Sequence, residues 1–145
     1  MIVILTGQPF SGKTTLATAL HNSVSASKSA IIIDGDELRK LTNNVDYSIS
    51  GRKKNIQTAI DMAVEANKST DYVIMSLVFP FRDMREFLKN IHGAKEIYLK
   101  SSRIREGKMV QCYEPPLDNF LYIDTDCLDV LDSLSSIKSY IEYEL

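Results

Sequence analysis

The chain has 145 residues, of which 44% are hydrophobic and 25% are charged, and its formal net charge is −2. This length suits a single domain, residues 1–145, and the charge excludes the basic surface by which proteins bind nucleic acids or anionic membranes. No apolar run approaches the roughly 20 residues that cross a bilayer, and no signal peptide precedes the first apolar run, so we expect a cytoplasmic protein. Cys112 and Cys127 form neither a CxxC pair nor a zinc-binding pattern, and we expect reduced thiols.

Apolar, β-branched runs alternate along the chain with segments of helical periodicity. The runs predict five strands, at residues 2–6, 30–34, 72–79, 96–100 and 120–124. The periodic segments predict helices at residues 13–24, 52–67, 83–90 and 130–143, with Ser50 as the N-cap of the second. This alternation is typical of an α/β protein with three layers, in which helices cover both faces of a five-stranded parallel sheet.

The first predicted strand runs directly into a glycine-rich loop, and the loop runs into a helix. The loop has the pattern GxxxxGK[ST] and comprises Gly7, Gln8, Pro9, Phe10, Ser11, Gly12, Lys13, Thr14 and the following Thr15. In this context the pattern predicts a P-loop that binds a nucleoside triphosphate. Backbone N–H groups would surround the phosphates, Lys13 would approach the β- and γ-phosphates, and the Thr14 hydroxyl would hold Mg²⁺.

ATP is the expected nucleotide, because the chain has no guanine-specific motif. The nearest match to NKxD is the segment 67–70, which has Thr70 where the aspartate would be needed. P-loops alone do not define the acceptor, since ATPases, GTPases and small-molecule kinases share them.

Two carboxylates follow the second predicted strand, at the sheet edge where the P-loop should lie. Asp34 and Asp36 flank a glycine, and such a pair can bind Mg²⁺ and accept the proton of an attacking hydroxyl. The alternative is that an aspartate caps a helix after a tight turn. Arg39 follows Asp36 by three residues, so both project to similar sides of a helix.

Further polar and aromatic residues could contact an acceptor. Arg52 and Asn55 share one flank of a predicted helix, where a guanidinium suits an anion and an amide suits a base or sugar. Tyr47, just before that helix, could stack on a base. Pro80 cannot extend a central strand, so the chain turns there. Arg82 and Arg85 then lie either near the site or on the outer face of the next helix.

The segment 101–119 does not fit the alternation of strands and helices. It carries Arg103, Arg105, Lys108 and the pair Pro115-Pro116. Loops of this length are usually functional or mobile. We interpret the segment either as a lid that closes over phosphates or as a solvated connection whose charges have no role.

Together these motifs resemble the adenylylsulfate kinase family over nearly the whole chain. The matching patterns are GxxxxGKTT, DGDxxR, an arginine followed three residues later by asparagine, a S…P[YF]R turn and a YExP stretch, found here at Gly7–Thr15, Asp34–Arg39, Arg52–Asn55, Ser76–Arg82 and Tyr113–Pro116. The resemblance implies a P-loop nucleoside-kinase-like fold and transfer of the γ-phosphate of ATP to the 3′-hydroxyl of adenylylsulfate, with Mg²⁺. It is also compatible with a homodimer.

The resemblance also implies roles for individual residues. Lys13, Asp34 and Asp36 would be catalytic, with the metal and base functions divided between the two aspartates in an order that stays open. Thr14 and Asp34 would hold the metal. The acceptor would be bound by Asp36, Arg39, Tyr47, Arg52, Asn55, Ser76, Phe79 and Pro80, with Tyr47 stacking on its base.

The chain departs from the family pattern in the segment 101–119, which is shorter than the usual lid and lacks its RDxKGLYxxA stretch. Gly51 also stands where the family has aspartate. Three hypotheses therefore stay open: an adenylylsulfate kinase with a shortened lid, a kinase of another nucleotide or small alcohol, and a nucleotide-binding module without turnover.

Overall fold

The computed structural model describes residues 1–103 and 108–142. Its strands are β1 (Ile2–Thr6), β2 (Ala30–Asp34), β3 (Tyr72–Ser76), β4 (Lys95–Lys100) and β5 (Phe120–Asp124). Its helices are α1 (Lys13–Val24), α2 (Gly35–Thr42), α3 (Ile49–Asn67), α4 (Arg82–His92) and α5 (Val130–Glu142). The strands form one parallel sheet in the order β2-β3-β1-β4-β5.

The central strand β1 is buried along its whole length, and alternate side chains face opposite sides of the sheet. Ile2 and Ile4 pack into the core formed with α3 and the neighbouring helices. Val3 and Leu5 pack into the core formed with α1 and α5. Helices therefore cover both faces, and the predicted three-layer α/β fold with a five-stranded parallel sheet is confirmed.

The third strand is shorter than the predicted segment 72–79, because the chain leaves the sheet after Ser76. The hydroxyl of Thr6 donates a 2.7 Å hydrogen bond to the carbonyl of Val78, which holds the departing chain beside β1. Phe79 has a positive φ of 54° and Pro80 has no N–H to donate. The apolar residues 77–81 therefore form a turn rather than a continuation of the strand.

Helices α2 and α3 show the main departures from the predicted helices. Helix α3 begins at Ile49 rather than at residue 52, and its N-cap is Ser48, whose hydroxyl accepts the Gly51 N–H. The assignment of the cap to Ser50 was wrong. Helix α2 was not predicted as an element. It begins after Asp34, whose carboxylate accepts the N–H groups of Asp36 and Glu37.

The topology brings the carboxyl ends of three strands to one edge of the sheet. Leu5 pairs with Ser76, and Asp34 pairs with the same residue from the other side. The loop after β1, the helix after β2 and the turn after β3 thus meet at this edge. None of the helices in residues 1–103 and 108–142 combines the length and apolar character needed to cross a membrane.

Candidate active site

The loop between β1 and α1 is tightly packed against the sheet. A Cβ on Gly7 would lie 2.4 Å from the carbonyl oxygen of Leu99, so only glycine fits there. Gly12 caps α1 in the left-handed region with φ 98°. The loop therefore has the close backbone approach and the helix N-terminus that characterise a P-loop.

Lys13 is largely buried and folds back onto the loop. Its Nζ donates to the carbonyl of Gln8 at 2.8 Å and to the hydroxyl of Ser11 at 3.4 Å. Burial lowers the pKa of Lys13 from 10.5 to about 8, and the nearby carboxylates of Asp36 and Asp34 counteract only part of this shift. An ammonium held in this way is stabilised by added negative charge, which a polyphosphate supplies.

The two predicted carboxylates differ in their surroundings. The Oδ2 atom of Asp34 accepts the N–H groups of Asp36 and Glu37, each at 3.1 Å, so Asp34 is the N-cap of α2. The capping alternative is therefore confirmed for Asp34. Within the described part of the chain, the Asp36 carboxylate has no hydrogen-bond partner, and it is exposed to the cleft.

An open cleft of about 980 Å³ lies between the P-loop and helix α3. It is lined by nearly all the predicted site residues, namely Pro9, Phe10, Gly12, Lys13, Thr14, Thr15, Asp34, Asp36, Arg39, Tyr47, Arg52, Asn55, Ser76, Phe79 and Pro80. Gly7, Gln8 and Ser11 do not line it. The structure thus brings together the donor-side and acceptor-side predictions in one cavity.

Arg39 and Arg52 both contact Tyr47. The Arg39 guanidinium lies 4.0 Å from the centre of the Tyr47 ring, and its Nη1 donates to the carbonyls of Asn44 and Asp46. The Arg52 guanidinium lies 5.4 Å from the ring, and its Nε donates to the Tyr47 carbonyl at 2.9 Å. These contacts build the turn between α2 and α3 and orient two cations beside the cleft. Stacking of Tyr47 on a base stays a prediction.

Steric crowding by the same turn explains why residue 51 is glycine. A Cβ at this position would lie 2.2 Å from the carbonyl oxygen of Asp46. The compact turn of residues 43–48 therefore requires glycine where the resemblance led us to expect aspartate.

Two polar side chains lie buried at the cleft wall without partners. Asn55 is 7% exposed and Ser76 is 2% exposed. The Oδ1 atom of Asn55 and the hydroxyl of Ser76 make no hydrogen bond within the described residues. Because buried polar atoms are normally hydrogen-bonded, these two atoms stand out among the residues that line the cleft.

The arginines after the third strand have different positions. Arg82 is partly exposed, and its Nε donates to the carbonyl of Pro115 at 2.8 Å. Arg85 is fully buried, so it lies neither on the outer face of α4 nor in the lining of the cleft. Its guanidinium pairs with the carboxylate of Glu96 at 2.5 Å and donates to the carbonyls of Phe79 and Glu114. Sequence patterns did not single out Glu96, which lies in an apolar strand.

The segment 101–119 contributes to the cleft through its described parts. Arg103 donates to the Thr125 hydroxyl at 2.8 Å, and Thr125 in turn donates to the carbonyl of Ser11 in the P-loop. Lys108 and Val110 also line the cleft. Arg105 lies outside the described residues. Arg103 and Val110 line the cleft, and Val110 is hydrogen-bonded to Gln8 of the P-loop, whereas the role of the segment as a lid stays a prediction.

A P-loop at the end of β1, a carboxylate pair after β2 and a cleft between them define a phosphotransferase of the P-loop kinase class. The chain belongs to the adenylylsulphate kinase family, whose model matches residues 1–107. The family resemblance inferred from the motifs is thus confirmed, and the protein is an ATP-dependent kinase.

Individual relatives are distant and bear two different names. A cytidine diphosphoramidate kinase of Campylobacter jejuni is 28% identical over 140 residues, covering 86% of this chain and 78% of the relative. A probable adenylyl-sulfate kinase of Archaeoglobus fulgidus is 32% identical over 100 residues, covering 67% of this chain and 64% of the relative. A solved hexameric APS kinase from Thiobacillus denitrificans has a TM-score of 0.79 and 25% identity, covering 97% of this chain and 28% of the solved one.

Proposed function

We propose that the protein transfers the γ-phosphate of ATP to a ribose 3′-hydroxyl of a nucleotide whose 5′-phosphate carries a second acidic group, with adenylylsulfate as the first candidate. The observation that carries this proposal is the part of the cleft wall formed by α3 and the end of β3, where the unpartnered polar atoms of Asn55 and Ser76 lie. Arg39 and Arg52 stand beside the same cleft. Buried polar atoms and nearby guanidinium groups together suit a polar, anionic acceptor.

On the donor side, the N–H groups of the P-loop and the start of α1 would bind the triphosphate. Lys13 would exchange its contacts with Gln8 and Ser11 for phosphate oxygens. The residues present also fit Mg²⁺, which takes one or two carboxylates or hydroxyls and completes its shell with phosphates and water. Thr14 and Asp34 line the cleft together, and both capping bonds of Asp34 use Oδ2. Mg²⁺ would neutralise charge on the β- and γ-phosphates.

We assign the base function to Asp36. Asp34 is held as the cap of α2, whereas the carboxylate of Asp36 is free to accept a proton. As the acceptor oxygen forms its bond to the γ-phosphorus, the bond to ADP breaks and the hydroxyl proton passes to Asp36. Little else is required of the protein, since positioning and charge neutralisation carry most phosphoryl transfers.

Cytidine diphosphoramidate is the second candidate acceptor, and a specific observation favours it. A Campylobacter relative named for this compound is 28% identical and aligns over 86% of the chain. Both compounds present a nucleoside linked to a phosphoanhydride, so the same arginines would serve either one. The two differ in the base, which would meet Tyr47 at the rim of the cleft.

A coupled assay of ADP release with both acceptors, and with a panel of nucleotides and small alcohols, tests the proposal. Release that depends on adenylylsulfate alone supports the first candidate, and release that depends on cytidine diphosphoramidate supports the second. Release only with an unrelated alcohol, or ATP binding without any release, would contradict the proposal. Lys13→Ala is the control for contaminating kinases. The mass of the purified chain in solution would test the homodimer.

A further inference from the structure

The side chain of Gln8, in the P-loop, is hydrogen-bonded to a residue in a distant part of the chain. Its side-chain Nε2 donates to the carbonyl of Val110 at 3.0 Å, and the N–H of Val110 donates to its Oε1 at 2.8 Å. One amide thus satisfies both backbone groups of one residue, as a neighbouring strand would do. Val110 is 7% exposed and lines the cleft. The contact therefore joins the phosphate-binding loop to a wall of the acceptor region, 102 residues further along the chain.

Among the described residues, Gln8 provides the hydrogen bonds that tie the beginning of this wall to the rest of the domain. Within the described part of the chain, residues 108–110 form hydrogen bonds with two partners only. One is their own segment, residues 108–114, and the other is Gln8. The end of the segment has its own anchors: the Tyr113 hydroxyl lies 2.9 Å from the Thr6 hydroxyl, and the Glu114 N–H donates to the Pro80 carbonyl at 2.8 Å. Loss of the Gln8 amide would therefore remove both hydrogen bonds that dock Val110, which lines the cleft together with Lys108 and Met109.

The same residue also contacts the donor side. The Gln8 carbonyl accepts a 2.8 Å hydrogen bond from Lys13 Nζ. A nucleotide phosphate that draws the Lys13 ammonium away changes the surroundings of Gln8 directly. A change at the donor site can thus reach residues 108–110 through one residue, whose carbonyl contacts Lys13 and whose side chain contacts Val110.

We propose that Gln8 is a positioning residue that docks residues 108–110 on the P-loop and couples nucleotide binding to the order of this acceptor wall. The inference rests on the proposed function only in naming the wall as acceptor-facing. The docking and the coupling can be measured with ADP and without any acceptor.

The experiment is amide hydrogen exchange of the peptide spanning residues 108–113, with and without Mg-ADP, in the wild-type chain and in Gln8→Leu. Leucine has a similar size but cannot bond to Val110. Loss of both hydrogen bonds should speed exchange of the Val110 amide by about tenfold or more in the ligand-free protein. Mg-ADP should slow this exchange in the wild type and leave it unchanged in Gln8→Leu, while both chains still bind ADP. Gln57→Leu is the matched control, because the exposed Gln57 amide donates a hydrogen bond to Asp61 on the surface of α3 and does not line the cleft.

The outcomes separate the docking from the proposed function. Equal exchange in wild type and Gln8→Leu would overturn the docking, and an ADP effect that persists in Gln8→Leu would overturn the coupling. Failure of the wild type to bind ADP would refute the coupling and the proposed function together, while the ligand-free comparison would still decide the docking. With a confirmed acceptor, Gln8→Leu should raise the acceptor KM about tenfold. An unchanged acceptor KM would overturn the acceptor-side role.

Discussion

The buried ion pair between Arg85 and Glu96 gives the sharpest test of what stabilises the site. Both side chains have 0% exposure, and Arg85 also donates to the carbonyls of Phe79 and Glu114. Arg85→Met removes one partner of a buried pair, which typically costs about 3–5 kcal/mol. Lys89 remains 2.8 Å from the other oxygen of Glu96, so we expect the lower end, about 3 kcal/mol.

Urea unfolding followed by circular dichroism would measure this loss, and the melting temperature should fall by about 2–4 °C per kcal/mol. Lys68→Met is the matched control, because Lys68 pairs with Glu65 on the surface and its side chain is 68% exposed. Its effect should stay within about 1 kcal/mol. Adding Glu96→Gln to Arg85→Met should recover part of the stability by removing the unpaired charge. A loss below about 1 kcal/mol for Arg85→Met would refute the reasoning.

Three further predictions concern the chemistry of the cleft. Because burial lowers the pKa of Lys13 to about 8 and bound phosphates raise it, ATP binding should take up about half a proton or more near pH 8.5 and almost none near pH 6.5. Calorimetry in buffers of different ionisation heat measures this uptake, and Lys13→Arg should abolish it. Asp36→Asn should lower kcat by about 10²–10⁴ without changing the melting temperature, whereas Asp34→Ala should also destabilise the fold by about 1 kcal/mol through loss of the α2 cap. Arg52→Ala should raise the acceptor KM about tenfold in steady-state assays, and a fall in ATP affinity instead would contradict its placement on the acceptor side.

The sequence predicted the fold well where one local pattern dominated. The buried strands are continuous apolar runs, and the P-loop is a contiguous motif. Helix α2 escaped prediction because it has only eight residues and its buried face is little more than Leu38. Its start depends on the Asp34 cap, and the sequence left open whether the aspartates after β2 cap a helix or bind a metal and a proton. The end of β3 was misjudged because the apolar run continues to Phe79, whereas the backbone turns after Ser76.

The candidate site was predictable residue by residue, but its supporting contacts were not. Motif spacing found the residues of the cleft because each motif follows a strand that ends at the same sheet edge. The partners Glu96 and Val110 carry no motif, and each meets its partner only through the tertiary fold. A single glutamate in a strand or a valine in a loop has no local feature that reveals such a contact.

The two unpredicted contacts act on the same part of the molecule. Arg85 fixes the carbonyls of Phe79 and Glu114, and Gln8 fixes both backbone groups of Val110. Both contacts therefore hold parts of the cleft lining, Phe79 and Val110, by hydrogen bonds within the protein. A surface that is already ordered loses less conformational entropy when a ligand binds to it. Residues 108–110 thus present a defined surface to the cleft, and the P-loop supports it through Gln8.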